Sequence, residues 1–406
     1  MDLARFLCAR LVLALLTISF AAIASADDDD DEDGDATSLT AGWSDDGAFI
    51  KSEDDSFFME IGGRIHLDFR AYTADFAPPP TFLIRRARLE VEGTLYQIFE
   101  FKVQADFADD ESILLRDGFV NIHAKDVVQV IAGQFKAPFS QEEFQSSKYM
   151  LFMERSMINN IVPGRSPGVM VHGYTKDNLI RYGVSVQNDE GELGLNRTGG
   201  PDFFGQGRFE PWREGTLDTL SFGGAIGIGK REQERFVVGR TSSRSVVFFN
   251  EIPLNGTLLR RNVEGWWYPG PLLVQAEYDD LSAERNGLAE GGGNLADVKA
   301  RGFMVEAAYV LTGETNAPDD PIDPHHPVHA GGWGAWEVGA RYQFFEVEGT
   351  PRENRVNDVT VAVNWWFNRF IHYQANFSWE MFRNPPDPTT GETFNFAFLT
   401  RLNMYF

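Results

Sequence analysis

Arginine recurs in this chain at a spacing that suits the handling of oxyanions. Arg64, His66 and Arg70 occupy alternate positions of one segment, and Arg86 and Arg88 do so in the next. Arg181, Arg341 and Arg401 fall in the same phase of later segments. A guanidinium is a planar fork of N–H donors that grips phosphate, sulfate or carboxylate through two hydrogen bonds at once. Carboxylates share that phase: Glu60, Asp68, Glu90, Glu92, Glu100, Asp106, Asp117, Glu306 and Glu337. The arginines therefore either present charge to a solute or neutralise their neighbours, and both readings stay open here. Arg85 is out of phase, so it must sit at a rim or be turned round by a bulge.

A second charge-bearing stretch is 136–166, which carries Lys136, Glu142, Glu143, Lys148, Glu154, Arg155 and Arg165. It is too long for a plain hairpin connection. Folded into a pore, such a loop would narrow it, and its charges would select ions by sign. His325, His326 and His329 lie among Asp319, Asp320 and Asp323. Imidazoles with carboxylates can hold a metal, but the interleaved prolines favour a stiff exposed loop, and no metal is assigned. Gly224 to Lys230 imitates a phosphate-binding loop, yet Arg231 stands where Ser or Thr is required and the segment reads as a strand. No nucleophile and base are spaced as a catalytic pair, so neither an enzyme nor a cofactor is expected.

The elements that carry these residues read as strands. Near the end, Met404, Leu402, Thr400, Phe398, Phe396 and Phe394 alternate with Tyr405, Asn403, Arg401, Leu399, Ala397 and Asn395, and the chain closes on Phe406. The same period-two pattern starts at Phe57 and recurs in sixteen segments, from 57–72 to 393–406. An even number of strands, one face apolar and the other polar, specifies a closed antiparallel transmembrane β-barrel. An open sheet edge in lipid would leave N–H and C=O groups without partners. The all-β barrel is thus expected over 57–406. Alternate connections are short, such as Gln97 and Pro269-Gly270. The others are long: 136–166, 189–203, 230–256 and 284–299. Short periplasmic turns and long outer loops are the habit of outer-membrane barrels. The long connection 313–332 breaks that alternation.

Composition agrees. Residues 1–26 read as a signal peptide, with Arg5 and Arg10 before an apolar stretch and Ala24-Ser25-Ala26 at its end. The only cysteine, Cys8, lies inside it, so the mature chain would have no disulfide or thiolate chemistry. No later apolar run is long enough for a helical span. Segment 27–56 opens with eight acidic residues between Asp27 and Asp35 and is expected to be a disordered acidic tail. A net charge of −24 argues against a nucleic-acid partner. The 34 phenylalanines and 9 tryptophans suit contact with lipid and its interfaces.

Several short motifs together resemble the phosphate- and polyphosphate-selective porins of bacterial outer membranes. They are Gly62-Gly63-Arg64, Ile84-Arg85-Arg86-Ala87 with Leu89-Glu90, Asp117-Gly118-Phe119-Val120, Gly133-Gln134-Phe135-Lys136 and Glu154-Arg155. Later come Gln275 to Tyr278, Ala308 to Glu314, Gly334 to Glu337 and Val363-Asn364-Trp365. The resemblance implies an outer-membrane homotrimer whose barrels pass small hydrophilic solutes, anions such as phosphate first among them. It implies that Arg64, Arg85, Arg86 and Arg155 belong to an arginine ladder; the phase of its strand puts Arg88 on the pore wall as well. The third outer loop would fold inward and set the constriction with Lys136, Glu143, Ser146 and Lys148. In phosphate-selective members the central site uses a lysine and a serine of that loop. Ser146 matches the serine, but Glu143 stands at the lysine position. That departure leads us to expect weak anion preference and weak phosphate binding. The alternatives are a non-selective pore or a barrel that only tethers the envelope.

Overall fold

The structure, a computed structural model, describes residues 38–44, 47–108, 112–188, 194, 200–212, 214–350 and 353–406. Residues 1–26, expected to be a signal peptide, and the acidic run Asp27 to Asp35 lie outside the described residues. The strands are β1 (Leu39–Trp43), β2 (Ala48–Ser52), β3 (Phe57–Tyr72), β4 (Thr81–Leu95), β5 (Phe99–Asp106), β6 (Leu114–Lys125), β7 (Val128–Lys136), β8 (Arg165–Tyr174) and β9 (Ile180–Gln187). They continue with β10 (Asp202–Phe209), β11 (Ser221–Arg240), β12 (Val247–Trp267), β13 (Leu272–Ala283), β14 (Val298–Val310), β15 (Ala335–Glu348), β16 (Asn354–Asn368), β17 (Ile371–Phe382) and β18 (Phe394–Tyr405). One short helix, α1 (Gln141–Phe144), lies between β7 and β8.

Strands β3 to β18 form a closed antiparallel barrel. Each pairs with the next, and β18 returns to β3 in register from Ala397 opposite Tyr72 to Tyr405 opposite Arg64. The seam ends in a backbone pair. Gly63 N–H donates to Phe406 O at 2.7 Å, and Phe406 N–H donates to Gly63 O at 3.2 Å. Closure leaves the sheet no open edge, as hydrocarbon surroundings demand.

The alternation read from sequence decides the two faces. In β3, Ile65 and Leu67 are each 42% exposed on the outside, whereas His66 and Asp68 between them are fully buried inside. Outward aromatics pair across strands. Trp336 stacks on Trp365 with centroids 5.1 Å apart, near the short-turn end, and Trp379 lies 5.4 Å from Phe396. Such a pair adds about 0.5–1.5 kcal/mol beyond its buried area. The Trp365 indole N–H also donates to Trp333 O at 2.8 Å, giving the ring the polar contact an interfacial tryptophan needs.

Three expectations are corrected. Segment 27–56 was expected to be a single disordered tail. Instead β1 and β2 form a hairpin within it, and β2 pairs with the first part of β3, Ala48 opposite Ile61. The acidic run ends before Leu39, so local apolar residues such as Phe49 and Ile50 are free to find strand partners. The connection expected over 230–256 is shorter. β11 and β12 continue beyond their neighbours to Arg240 and from Val247, leaving a turn at 241–246. Connection 313–332 was expected to be a stiff exposed loop. Its Ile322 is instead buried with Val310, Ala335, Trp366 and Tyr405, and its Pro318 carbonyl accepts from Gln145 Nε2 at 2.6 Å. Its histidines stay exposed. Among the described residues, no three His, Cys, Asp or Glu side chains gather as metal ligands.

The connection between β7 and β8 crosses the interior to the far wall. Met150 and Leu151 carbonyls accept from Gln374 on β17, Asn376 on β17 accepts from Met153 N–H at 2.8 Å, and Gln343 on β15 accepts from Met157 N–H at 2.7 Å. Met153, Met157 and Ile158 are wholly buried there. Small wall residues make the seat. A Cβ on Gly339 would come within 2.9 Å of Leu151, and one on Gly302 within 2.9 Å of Ile158. The inward loop is thus held by a mosaic of wall amides and apolar contacts.

Candidate functional site: a cation-lined constriction

One loop carboxylate gathers a cluster of arginines. Glu154 sits under the wall at the seam, where Arg70 Nη2 donates to its Oε1 at 2.6 Å and Arg85 Nε at 2.7 Å. Arg401 Nη2 reaches the same oxygen at 3.1 Å. Arg244 Nε donates to Oε2 at 3.2 Å, and Arg86 lies 3.7 Å away. Arg85 gets there through a bulge: His66 pairs with Arg86 but Leu67 pairs with Ile84, so Arg85 is the extra residue and turns inward. Burial alone would raise the Glu154 carboxyl. The guanidinium groups of Arg85, Arg244, Arg86 and Arg70 override this and hold it well below the usual carboxylate range.

Helix α1 is tied down at both ends. Its first N–H groups need acceptors, and Ser140 Oγ caps Glu143 N–H at 3.1 Å. The wall carboxylates Glu264 and Glu277 accept from Gln141 and Glu142 N–H at 2.8 and 3.3 Å. At the other end the carbonyls face cations. Lys136 Nζ donates to Glu143 O at 2.6 Å and Phe144 O at 2.9 Å, and Arg155 donates to Glu142 O at 2.9 Å and Gln145 O at 2.8 Å. Cations at helix C-terminal carbonyls are favourable for the same reason.

Between this loop and the wall of β3 to β8 lies a chamber of about 710 Å³. Among the described residues ten cationic side chains line it: Arg64, Arg85, Arg86, Arg88, Lys102, Arg116, Lys136, Arg155, Arg165 and Arg244. Three acidic ones join them, Asp106, Asp117 and Glu143. A cavity of about 400 Å³ continues toward the 241–246 turn and shares Arg86, Arg155 and Arg244. A smaller one of about 180 Å³ continues toward the start of β3 and shares Arg64, Lys102 and Ser146. The string of cavities runs from the 241–246 turn to the start of β3, and its middle has the most cationic lining residues.

Every residue expected at the site has a place in this string. Arg64 donates to Ser147 Oγ at 2.9 Å, Ser146 Oγ at 3.3 Å and Glu90 at 3.2 Å. Arg88 Nε donates to Asp106 at 2.7 Å, and Arg86 contacts His66 Nδ1 at 3.3 Å. Lys148 ion-pairs with Glu90 and lines the 180 Å³ cavity instead of the central one. Glu143 lies 3.2 Å from Arg155 and 3.9 Å from Arg165. Burial would raise its carboxyl, but Arg155, Lys136 and Arg165 lower it, so it stays charged and offsets part of the cationic field. Replacing it with Gln should therefore strengthen anion preference. The shift in reversal potential across a KCl gradient measures this, and an unchanged potential would show that Glu143 does not face the ions.

The other arginines divide. Arg70 and Arg401 bind Asp68, at 2.6 Å each, and anchor Glu154. Arg341 lies under the loop, 4.3 Å over the Phe152 ring, and donates to Glu154 O at 3.2 Å. Arg181 is half exposed at the short-turn end. Arg70, Arg401 and Arg341 are thus buried against the loop, whereas Arg64, Arg85, Arg86, Arg88 and Arg155 line the chamber while also contacting carboxylates. Arg244 was missed because it lies in the 241–246 turn, whose approach to the pore only the tertiary fold shows. Arg116 was missed because a second bulge, between Gln104 and Ala105, shifts the phase of β6.

A closed sixteen-strand barrel with an inward charged loop defines a porin of the bacterial outer membrane, a water-filled channel. The chain belongs to the phosphate-selective porin O and P family, whose model matches residues 59–393. It is similar to Porin O of Pseudomonas aeruginosa, 24% identical over 398 residues that cover 82% of this chain and 84% of that one. The fold resembles OmpT of Vibrio cholerae (TM-score 0.57, 11% identity, covering 87% of this chain and 98% of that one). It also resembles OmpF of Salmonella typhi, solved with daunomycin (TM-score 0.58, 11% identity, 87% and 99%). The outer-membrane channel DcaP of Acinetobacter baumannii is a further neighbour (TM-score 0.56, 11% identity, 88% and 99%).

Proposed function

We propose that this porin is a passive, anion-preferring channel whose filter is the 710 Å³ chamber. The observation that carries it is the excess of cationic over acidic side chains around that chamber. Each unit charge about 4 Å from a permeating ion is worth about 1 kcal/mol even at water-like dielectric, so ten cationic side chains against Asp106, Asp117 and Glu143 leave the lining net positive. The preference is then stronger than the position of Glu143 alone suggests. Phosphate, named in the family description, is the first inorganic oxyanion to test, with Arg64, Arg85, Arg86, Arg88 and Arg155 as its guides. Lys136, Ser146 and Lys148 shape the path. The barrel works as a homotrimer in this reading, supported by the trimer form of the OmpT neighbour.

Purified protein in a planar bilayer tests the proposal. Across a tenfold KCl gradient the reversal potential should carry the sign of chloride selectivity. A potential near zero or of the opposite sign would overturn it.

A further inference from the structure

The chamber has a second wall that inorganic ions do not need. Phe119 on β6 and Phe144 at the end of α1 both line it, and both remain partly exposed. Ile131, Phe135 and Met170 on β7 and β8 back Phe119 as a buried cluster on the inner face of the barrel. Inward positions of a water-filled barrel are usually polar, and four apolar residues grouped there depart from that rule. Loop packing does not account for the two exposed rings. Phe139 and Phe152, which do pack the loop, are 1% and 2% exposed. Cation and ring also stand side by side. Lys102 is paired in register with Phe119 across β5 and β6, and Lys136 donates to the Phe144 carbonyl.

We propose, on the basis of the anion-preferring reading above, that the chamber is shaped for small organic carboxylates with an apolar body, of the benzoate type. The carboxylate would meet the guanidinium groups of Arg64 and Arg88, and the ring would lie against Phe119 and Phe144. Sites for organic ligands combine an apolar lining with a few convergent charged groups, and this chamber does so. It is also large enough, since a cavity of about 150 Å³ already holds benzene. A phosphate or chloride ion has no apolar surface to place against such a wall. Acetate has the same head group with almost no body, so it serves as the internal control.

The test measures block of chloride current through single trimers in a bilayer by sodium benzoate, sodium acetate and inorganic phosphate. Benzoate should halve the current at a concentration about tenfold below that of acetate, the ratio expected for covering one ring with apolar surface. In Phe119→Gln and in Phe144→Gln the benzoate-to-acetate ratio should fall toward unity. The second variant lies on the loop and not in the wall, so it reports even where the first does not assemble. Equal block by benzoate and acetate in an anion-selective wild-type channel overturns this inference and leaves the anion-preferring reading standing. An unaltered ratio in Phe144→Gln also overturns it, for then the ring is not the contact. A wild-type channel without anion preference would instead sink the underlying reading.

Discussion

Glu154→Gln is expected to open the channel and destabilise the barrel together. The carboxylate is shared by Arg70, Arg85, Arg86, Arg244 and Arg401, none more than 3.7 Å away. A neutral amide leaves those guanidinium groups facing one another, and removing one partner of a buried ionic group costs about 3–5 kcal/mol. The loop end at 150–161 should detach, so single-channel conductance should rise and fluctuate while the temperature of heat modification on gels falls by several degrees. The pH dependence has a definite sign. The folded carboxyl is depressed below its unfolded value of about 4.3, so its contribution to stability is present above that pH. It disappears only as pH falls through the lower folded value. Wild type should therefore keep its conductance at about pH 4, where an ordinary exposed glutamate is half protonated. A Glu154→Gln channel with unaltered conductance and melting would show that the arginine cluster does not hold the loop.

Removing 140–150 should have the second-largest effect. The segment contains α1 and supplies the carbonyls that Lys136 and Arg155 bind, together with Ser146 and Ser147 beside Arg64. Its loss merges the 710 Å³ chamber with the open lumen. Conductance should increase roughly severalfold, and anion preference should drop because the remaining wall arginines then face bulk water at a greater distance. Glu154 and its partners are retained, so the barrel should still assemble and show heat modification. Unchanged conductance in such a folded variant would place the narrowest point elsewhere, with the turn at 241–246 as the next candidate.

The barrel was legible because its physics is periodic. Lipid outside and water inside impose alternation on each strand, and all sixteen barrel segments read from sequence are present, from β3 to β18. The bulge at Arg85 was legible for the same reason: a charge in the apolar phase demands a local correction. What alternation does not encode is reach. The carboxylates near Arg88 and Arg165 are cross-strand or loop partners, as in Asp106 at 2.7 Å and Asp117 at 2.8 Å, yet the wall arginines still line the chamber. Whether an inward arginine meets a solute or a carboxylate depends on rotamer and on what the loop covers. Arg401 and Arg64 occupy equivalent phases of neighbouring strands, but the loop buries one under Met153 and Glu154 and leaves the other at the chamber. The extension of β11 and β12 was missed because polar residues such as Arg231 and Glu232 break the apolar alternation there.

The placement of Glu154 also orders events in folding. Its arginine partners come from β3, β4, β18 and the 241–246 turn, and Arg401 is 247 positions along the chain from it. The first and last barrel strands lie side by side only after the sheet has curled round on itself. Until then the pocket that receives Glu154 lacks Arg401 and is incomplete. Contacts between such distant positions form late because a long stretch of chain must be ordered first. Seating of the loop end that carries Glu154 is therefore expected to be complete only after the barrel has closed.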